Sequence, residues 1–219
     1  MSLKLYCPQR YAVAGAKVEL LLRFLDIPVE FDRIPPTEWK SEAYLKKHPL
    51  GKVPTLETPE GCIFESVAIM RYLARKANKL YGNSPAETAR IDQWLEFLNT
   101  QLNPLSYLTI YAILGFVPVT AQNYEIGKKE TIRSLKVLDE QLKTTKYLAG
   151  DFSIADIALI GLVRLQLRLF LTEQLRVQIP RVVEWHNRLF EHKEIAGFFG
   201  KIWLCVKEQT PDFIVEEKK

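Results

Sequence analysis

The sequence predicts a chain in two parts: an α+β domain reading βαβαββα over residues 1–80, and an all-α domain over residues 86–215. Three observations carry this. Strand-like and helix-like patterns alternate up to Ile34, a hairpin marked by proline and glycine follows before Ser66, and beyond Pro85 the apolar residues recur only at helical spacing.

Taken in order, Leu3 to Cys7 is a short apolar run broken at Pro8, and Val13, Ala16, Leu20, Leu21 and Phe24 then fall on a helical face. Val29 to Ile34 alternates apolar and charged residues until Pro35-Pro36 stops it, which completes a βαβ unit. The polar stretch Ser41 to Lys47 reads as a helix. The run ending at Leu56 and the run Cys62-Ile63-Phe64 make a hairpin around a turn at Glu57 to Gly61. Ser66 opens a helix whose apolar positions are Ile69, Met70, Leu73, Ala77 and Leu80, and Asn78 to Pro85 has the composition of a linker. The helical half carries Ile91, Trp94, Leu95, Leu98 and Leu102, then Ile132, Leu135, Leu138 and Leu142.

The 219 residues, 47% hydrophobic and 26% charged, suit a soluble protein with a packed core. Neither a secretory signal nor an anchor is legible at the start. Arg164 and Arg168 interrupt the most apolar stretch before it reaches the about eighteen residues of a membrane span, so a cytoplasmic protein without a membrane segment is expected. Cys7, Cys62 and Cys205 are widely spaced and odd in number, which fits reduced thiols. His48, His186 and His192 lack partners at ligand spacing, so no metal is expected. The net charge of +4 comes from scattered lysines and arginines, a solvated surface rather than a nucleic-acid footprint.

The hairpin region carries the candidate chemistry. A cis bond at Val53-Pro54 would present the Val53 N–H and C=O like an open strand edge, able to pair with a short peptide; an ordinary X-Pro turn is the alternative. Ser66 stands where an N-cap would be, so its hydroxyl and the free N–H groups of the next turn could bind a carboxylate, with Glu65 taking an ammonium. Lys40 and Lys52 flank this point and could meet a second carboxylate; as surface lysines they could equally be solvated.

The segment HPLGKVPTLETPEGCIFESVAIMRYL (residues 48–73) resembles the glutathione-transferase family, which has Gly-Lys/Gln-Val-Pro, a hairpin, then Glu-Ser-x-Ala-Ile-x-x-Tyr-Leu. YLAGDFSIADI (residues 147–157) is similar to that family's buried helix start, in which Ser153 and Asp156 would cap each other. The resemblance implies a thioredoxin-like first domain and the family's helical second domain. It implies that glutathione is ligand or cosubstrate, with Val53 pairing with its cysteinyl backbone, Glu65 and Ser66 holding its γ-glutamyl end, and Lys40 and Lys52 facing the glycine carboxylate. For the group that activates the thiol the family uses Tyr, Ser or Cys just after the first strand. No serine stands there, which leaves Tyr6, Cys7 and Tyr11, with Tyr11 favoured by its place in the loop and Cys7 suited to disulfide exchange.

Over roughly residues 40 to 210 the chain also resembles the gamma-subunit family of eukaryotic translation elongation factor 1B, a likeness carried by ILGFVP (residues 113–118), KKETIRSLKVLDEQLKTTKYLAG (residues 128–150) and PRVVEWHNRLFEHKEIAGFFGKIWLCVKEQTP (residues 180–211). That likeness implies a docking module for the nucleotide-exchange subunit, with an aminoacyl-tRNA synthetase as a further partner. Catalysis with glutathione on an electrophile is the competing function. Trp94, Phe97, Leu98, Leu105, Tyr107 and Tyr111 offer more apolar surface than one helix buries, so a homodimer is expected.

Overall fold

The computed structural model describes residues 3–8 and 13–214. Two compact units part after Thr88. In the first, a four-stranded sheet has the order β2-β1-β3-β4, with β1 Leu3–Pro8, β2 Val29–Ile34, β3 Thr55–Thr58 and β4 Gly61–Phe64. β1 pairs parallel with β2 (Leu5 opposite Phe31) and antiparallel with β3 (Leu5 opposite Leu56), while β3 and β4 form the hairpin. Glu57 pairs with Cys62 and Thr58 with Gly61, so the turn is shorter than the composition suggests and is made by Pro59 and Glu60. Pro8 ends β1 from within, where the missing N–H is tolerated at a strand end.

Helix α1 (Val13–Leu22) packs against α3 (Ser66–Ala77), and α3 against β3 and β4. The shared core includes Leu5, Leu20, Leu21, Leu56, Ile69, Met70 and Leu73, all inaccessible to solvent. The short α2 (Glu42–Leu45) is capped by the Ser41 hydroxyl, which accepts from the Tyr44 N–H. Its Tyr44 forms a separate cluster with Tyr6 and Ile34. Glu19 of α1 is buried and takes a bidentate pair from Arg33 of β2, at 3.0 and 2.6 Å, which ties helix to strand across the crossover. The residues between α3 and the next helix are pinned: Asn78 closes α3 in the left-handed conformation, and Tyr81 is buried under the Arg75 guanidinium.

The second unit is helical. Its main elements are α4 (Pro85–Phe97, entered from the first unit), α5 (Asn103–Leu108), α6 (Ile110–Ile113), α7 (Ala121–Gln141), α8 (Ile154–Leu169), α9 (Glu173–Arg176), α10 (Pro180–Leu189) and α11 (Lys193–Phe199). A single π-helical turn at residues 98–102 joins α4 to α5. α8 is buried almost all round, as its nearly continuous apolar sequence requires. The reciprocal cap expected at its start is present: Asp156 Oδ2 accepts from the Ser153 N–H at 3.1 Å, while the Ser153 hydroxyl accepts from the Ala155 N–H. Asp156 Oδ1 also accepts from Leu148 N–H and from Trp185 Nε1 at 2.8 Å, joining the preceding loop and α10 to α8. Asp139 of α7 accepts from the N–H groups of Arg181 and Val182, capping α10 from outside its own segment. Beyond α11 the chain returns over the unit: Cys205 N–H reaches Leu167 O, Gln209 N–H reaches Leu169 O, and Glu208 takes Tyr124 and Lys128 of α7.

Two residues behind the dimer expectation are internal, since Trp94 and Leu98 are buried. Tyr107 remains exposed and stacks on Tyr111 at 4.9 Å. Among the described residues no helix is long and apolar enough to cross a membrane.

His186 of α10 is 1% exposed, and burial, with Arg164 nearby, pushes its pKa down to about 4. The unfolded chain therefore takes up this proton below about pH 6.5 while the folded chain resists it until about pH 4, so the group lowers stability on acidification across that window. His186→Leu is expected to gain on the order of 3 kcal/mol relative to the native chain between pH 7 and pH 4. Urea midpoints at the two pH values check this; a constant difference would show that His186 does not titrate as its burial requires.

Candidate functional site

The sequence-predicted residues Lys40, Lys52, Val53, Pro54, Glu65 and Ser66 all belong to the first unit: Lys40 stands in the turn before α2, Lys52, Val53 and Pro54 on the loop between α2 and β3, and Glu65 and Ser66 at the start of α3. Two side chains hold that loop. The Tyr44 hydroxyl donates to Lys52 O at 2.7 Å, which leaves Thr55 Oγ1 as the donor to Tyr44 at 2.9 Å. Lys40 Nζ donates to Leu50 O at 2.6 Å, so this exposed lysine braces the loop. Buried His48 accepts from the Leu50 N–H through Nδ1 and packs on Phe64 with centroids 4.8 Å apart. Its pKa is lowered by burial, against the field of Glu65 and with that of Lys52 and Lys40, so these charges surround one loop.

Gly51 has φ +54, and a Cβ there would overlap the Trp39 carbonyl oxygen and stand 2.9 Å from Lys40 Cδ. Only glycine lets the backbone approach this closely. The next bond, Val53-Pro54, is cis. The Val53 side chain packs on the Tyr6, Ile34 and Tyr44 cluster, and among the described residues its N–H and C=O have no hydrogen-bond partner in the protein. A free donor and acceptor on one residue can take an extended peptide in antiparallel fashion.

Glu65, not Ser66, occupies the N-cap of α3, with φ 69 and no side-chain cap. Ser66 is the first helical residue. Its hydroxyl, 9% exposed, has no partner among the described residues, and it stands beside the free N–H groups of the first turn. That pairing of hydroxyl and N–H groups favours an anion. The Glu65 side chain is exposed, and its carboxylate would attract a cation.

The candidates for thiol activation separate. Tyr11 lies outside the described residues. Cys7 is inaccessible, donates to Asp32 O, and burial first, then Glu19, pushes its thiol up to about 11. Such a thiol stays protonated and does not meet a disulfide partner, which removes the accessibility that exchange chemistry requires. The Tyr6 hydroxyl is committed to Glu57 Oε2 at 2.7 Å, and Lys47 holds the same carboxylate at 2.6 Å.

Sequence reasoning missed Lys17. It is 5% exposed on α1, and burial pushes its pKa down to about 8 against the attraction of Glu65. Among the described residues no group of three or more His, Cys, Asp or Glu side chains could hold a metal ion.

Comparison with known proteins bears on the family and the fold. Residues 11–84 match the family described as Glutathione S-transferase, N-terminal domain, and residues 105–193 match Glutathione S-transferase, C-terminal domain. Elongation factor 1-gamma 1 of Oryza sativa subsp. japonica is 39% identical over 166 residues, covering 74% of this chain and 40% of the relative. The chain thus spans about two fifths of the length of the curated relatives it matches. The GST-like domain of elongation factor 1-gamma from Saccharomyces cerevisiae superposes with a TM-score of 0.81 at 21% identity, covering 96% of this chain and 99% of that one. A glutathione transferase of Phanerochaete chrysosporium in complex with oxidized glutathione has a TM-score of 0.80 at 26% identity, covering 90% and 94%.

Proposed function

Because the chain belongs to the glutathione S-transferase superfamily, we propose that it is a transferase-fold docking module of the elongation factor 1-gamma type that keeps a glutathione site. The observation that carries the docking half is the likeness to elongation factor 1-gamma, which extends to 39% identity. The helical unit also leaves large apolar side chains uncovered, with Phe116 70%, Trp203 63% and Val206 94% exposed, as a surface built to be covered does. The partner we assign is the nucleotide-exchange subunit of elongation factor 1B in the cytoplasm, with an aminoacyl-tRNA synthetase as a second partner and a homodimer as the working form.

The glutathione half rests on Val53 and Ser66. A peptide strand pairs with the free N–H and C=O of Val53, while its γ-glutamyl carboxylate meets Ser66 and the start of α3. Lys52 is free to approach the glycine carboxylate, whereas Lys40 contributes by holding the loop.

A second reading, an active transferase, is favoured by the same free groups at Val53 and Ser66. One set of measurements separates the two. Purified chain is mixed with the exchange subunit at micromolar concentration and with glutathione plus an aryl halide. A stable complex, glutathione binding weakened by Ser66→Ala, and no turnover above background are the expected results. Absence of any complex sinks the docking function, and turnover that Ser66→Ala lowers makes the chain an enzyme.

A further inference from the structure

The outer face of α7 carries three cations in one stripe. Lys129, Arg133 and Lys136 stand at steps of four and three residues, all exposed, with half-buried Ile132 between them. Together with Leu175 and Gln178, in and just beyond α9, they line a hollow of about 450 Å³ in the helical unit. The acids nearby are already held: Lys128 takes Glu208 at 2.7 Å and Glu125 at 3.3 Å, Arg133 takes Glu130 at 3.2 Å, and Lys143 takes Glu140. The Arg133–Glu130 pair is open to water, with the arginine side chain 80% exposed, and such a pair yields readily to another carboxylate. Like charges one turn apart repel on the free helix, and an anion laid along the stripe removes that cost.

A second hollow, of about 360 Å³, is lined by Arg168 and Lys207 together with the exposed apolar side chains Trp203, Leu204 and Val206. The two adjoin. Glu208, next to Lys207, is the group that holds Lys128 of the first hollow, and Arg176, next to Leu175, donates to Cys205 O at 2.7 Å. The segment that presents Trp203 and Val206 is fixed to α8 by Cys205 N–H to Leu167 O and Gln209 N–H to Leu169 O, both at 2.8 Å. Its apolar side chains are therefore offered on an ordered backbone, which lowers the entropy lost when a partner covers them.

We infer that the two hollows form one docking groove for an acidic segment of a partner protein that also carries apolar side chains. Its carboxylates meet Lys129, Arg133 and Lys136, and its apolar residues seat on Ile132, Leu175, Trp203 and Val206. Charge sets the sign of the occupant, and the apolar contacts separate a peptide from a nucleic acid. Glu125 and Glu130 stand in the wall of the basic hollow, where a continuous run of phosphates would meet them, and no aromatic ring lines that hollow to stack a base. The occupant follows from the groove's own chemistry and holds whichever protein carries the segment.

The test is fluorescence anisotropy of the full chain with three labelled probes of equal length: a peptide repeating Glu-Glu-Leu, a peptide of glutamate alone, and oligouridine. The mixed peptide is expected to bind about tenfold more tightly than either of the others, with an affinity that falls as salt is raised. Lys129→Glu combined with Lys136→Glu is expected to weaken it by about tenfold or more and to flatten the salt dependence, and Trp203→Ala to weaken it by about tenfold. Lys129→Gln with Lys136→Gln loses less, and serves where charge reversal unsettles α7. The same change of charge in the first unit, Lys76→Glu with Lys79→Glu, is expected to leave binding intact. A native chain that binds no probe overturns the groove. Equal losses in the two charge-reversed chains overturn it too, since net charge alone would then be the cause. Glutamate alone binding as tightly as the mixed peptide removes the apolar contact and with it the groove, and oligouridine binding most tightly, with the same loss at Lys129 and Lys136, makes the stripe a nucleic-acid surface instead.

Discussion

Asp156→Ala is expected to unfold the helical unit. The carboxylate accepts from Leu148 N–H, Ser153 N–H, the Ser153 hydroxyl and Trp185 Nε1, at 2.8 to 3.3 Å, and Asp156 itself is inaccessible. Removing it leaves these buried donors without an acceptor, at about 1 to 3 kcal/mol each, a sum of the same order as a domain's whole stability. Burial pushes the carboxyl up to about 6 while its donors pull it down, so it is ionised at neutral pH and the bonds are charge-assisted. Asp156→Asn keeps one acceptor oxygen and is expected to lose less. Trp185→Phe removes a single bond, at about 1 to 2 kcal/mol. Circular dichroism against urea checks the order; a Trp185→Phe loss equal to that of Asp156→Ala would mean that packing of the indole, not the shared acceptor, holds α8 to α10.

Gly51→Ala comes second in size. The added methyl overlaps the Trp39 carbonyl and crowds Lys40, and the backbone at φ +54 already disfavours a side chain. Relief requires the Trp39 backbone to move, and with it the loop that carries Lys52 and Val53. A loss of about 3 kcal/mol or more is expected, together with loss of glutathione binding. Gly61→Ala is the control, because φ there is +129 but a Cβ meets nothing within 4 Å. It is expected to cost about 1 to 3 kcal/mol through conformation alone and to leave binding intact. Equal effects of the two variants on binding would show that Gly51 matters only for its dihedral angle.

Regular periodicity made the elements legible. The helical spacing of Ile69, Met70 and Leu73, the alternation of Val29 to Ile34, and the Ser-x-x-Asp signature at Ser153 each encode a local preference that tertiary contacts reinforce. Other features depend on what lies across the fold. Ser66 has the side chain of an N-cap, but the chain turns at Glu65 with positive φ, so the cap falls one residue earlier. Trp94 and Leu98 read as surplus surface on one helix because the neighbours that bury them come from elsewhere in the chain. Lys17 and Glu19 are charged residues outside the apolar spacing of α1, yet both are buried. Glu19 is matched by Arg33 of β2, a pairing that the helical spacing does not reveal.

The return of the chain after α11 bears on how the helical unit can be handled. A truncation drawn at the last helix, after Phe199, would strip the groups that Cys205 and Gln209 bring to the end of α8, and would leave Tyr124 and Lys128 without Glu208. Tyr124 is inaccessible only while that segment lies over it. An expression fragment of this unit should therefore run through Ile214, whose N–H closes onto Val119 O, and a cleavage tag belongs beyond that point.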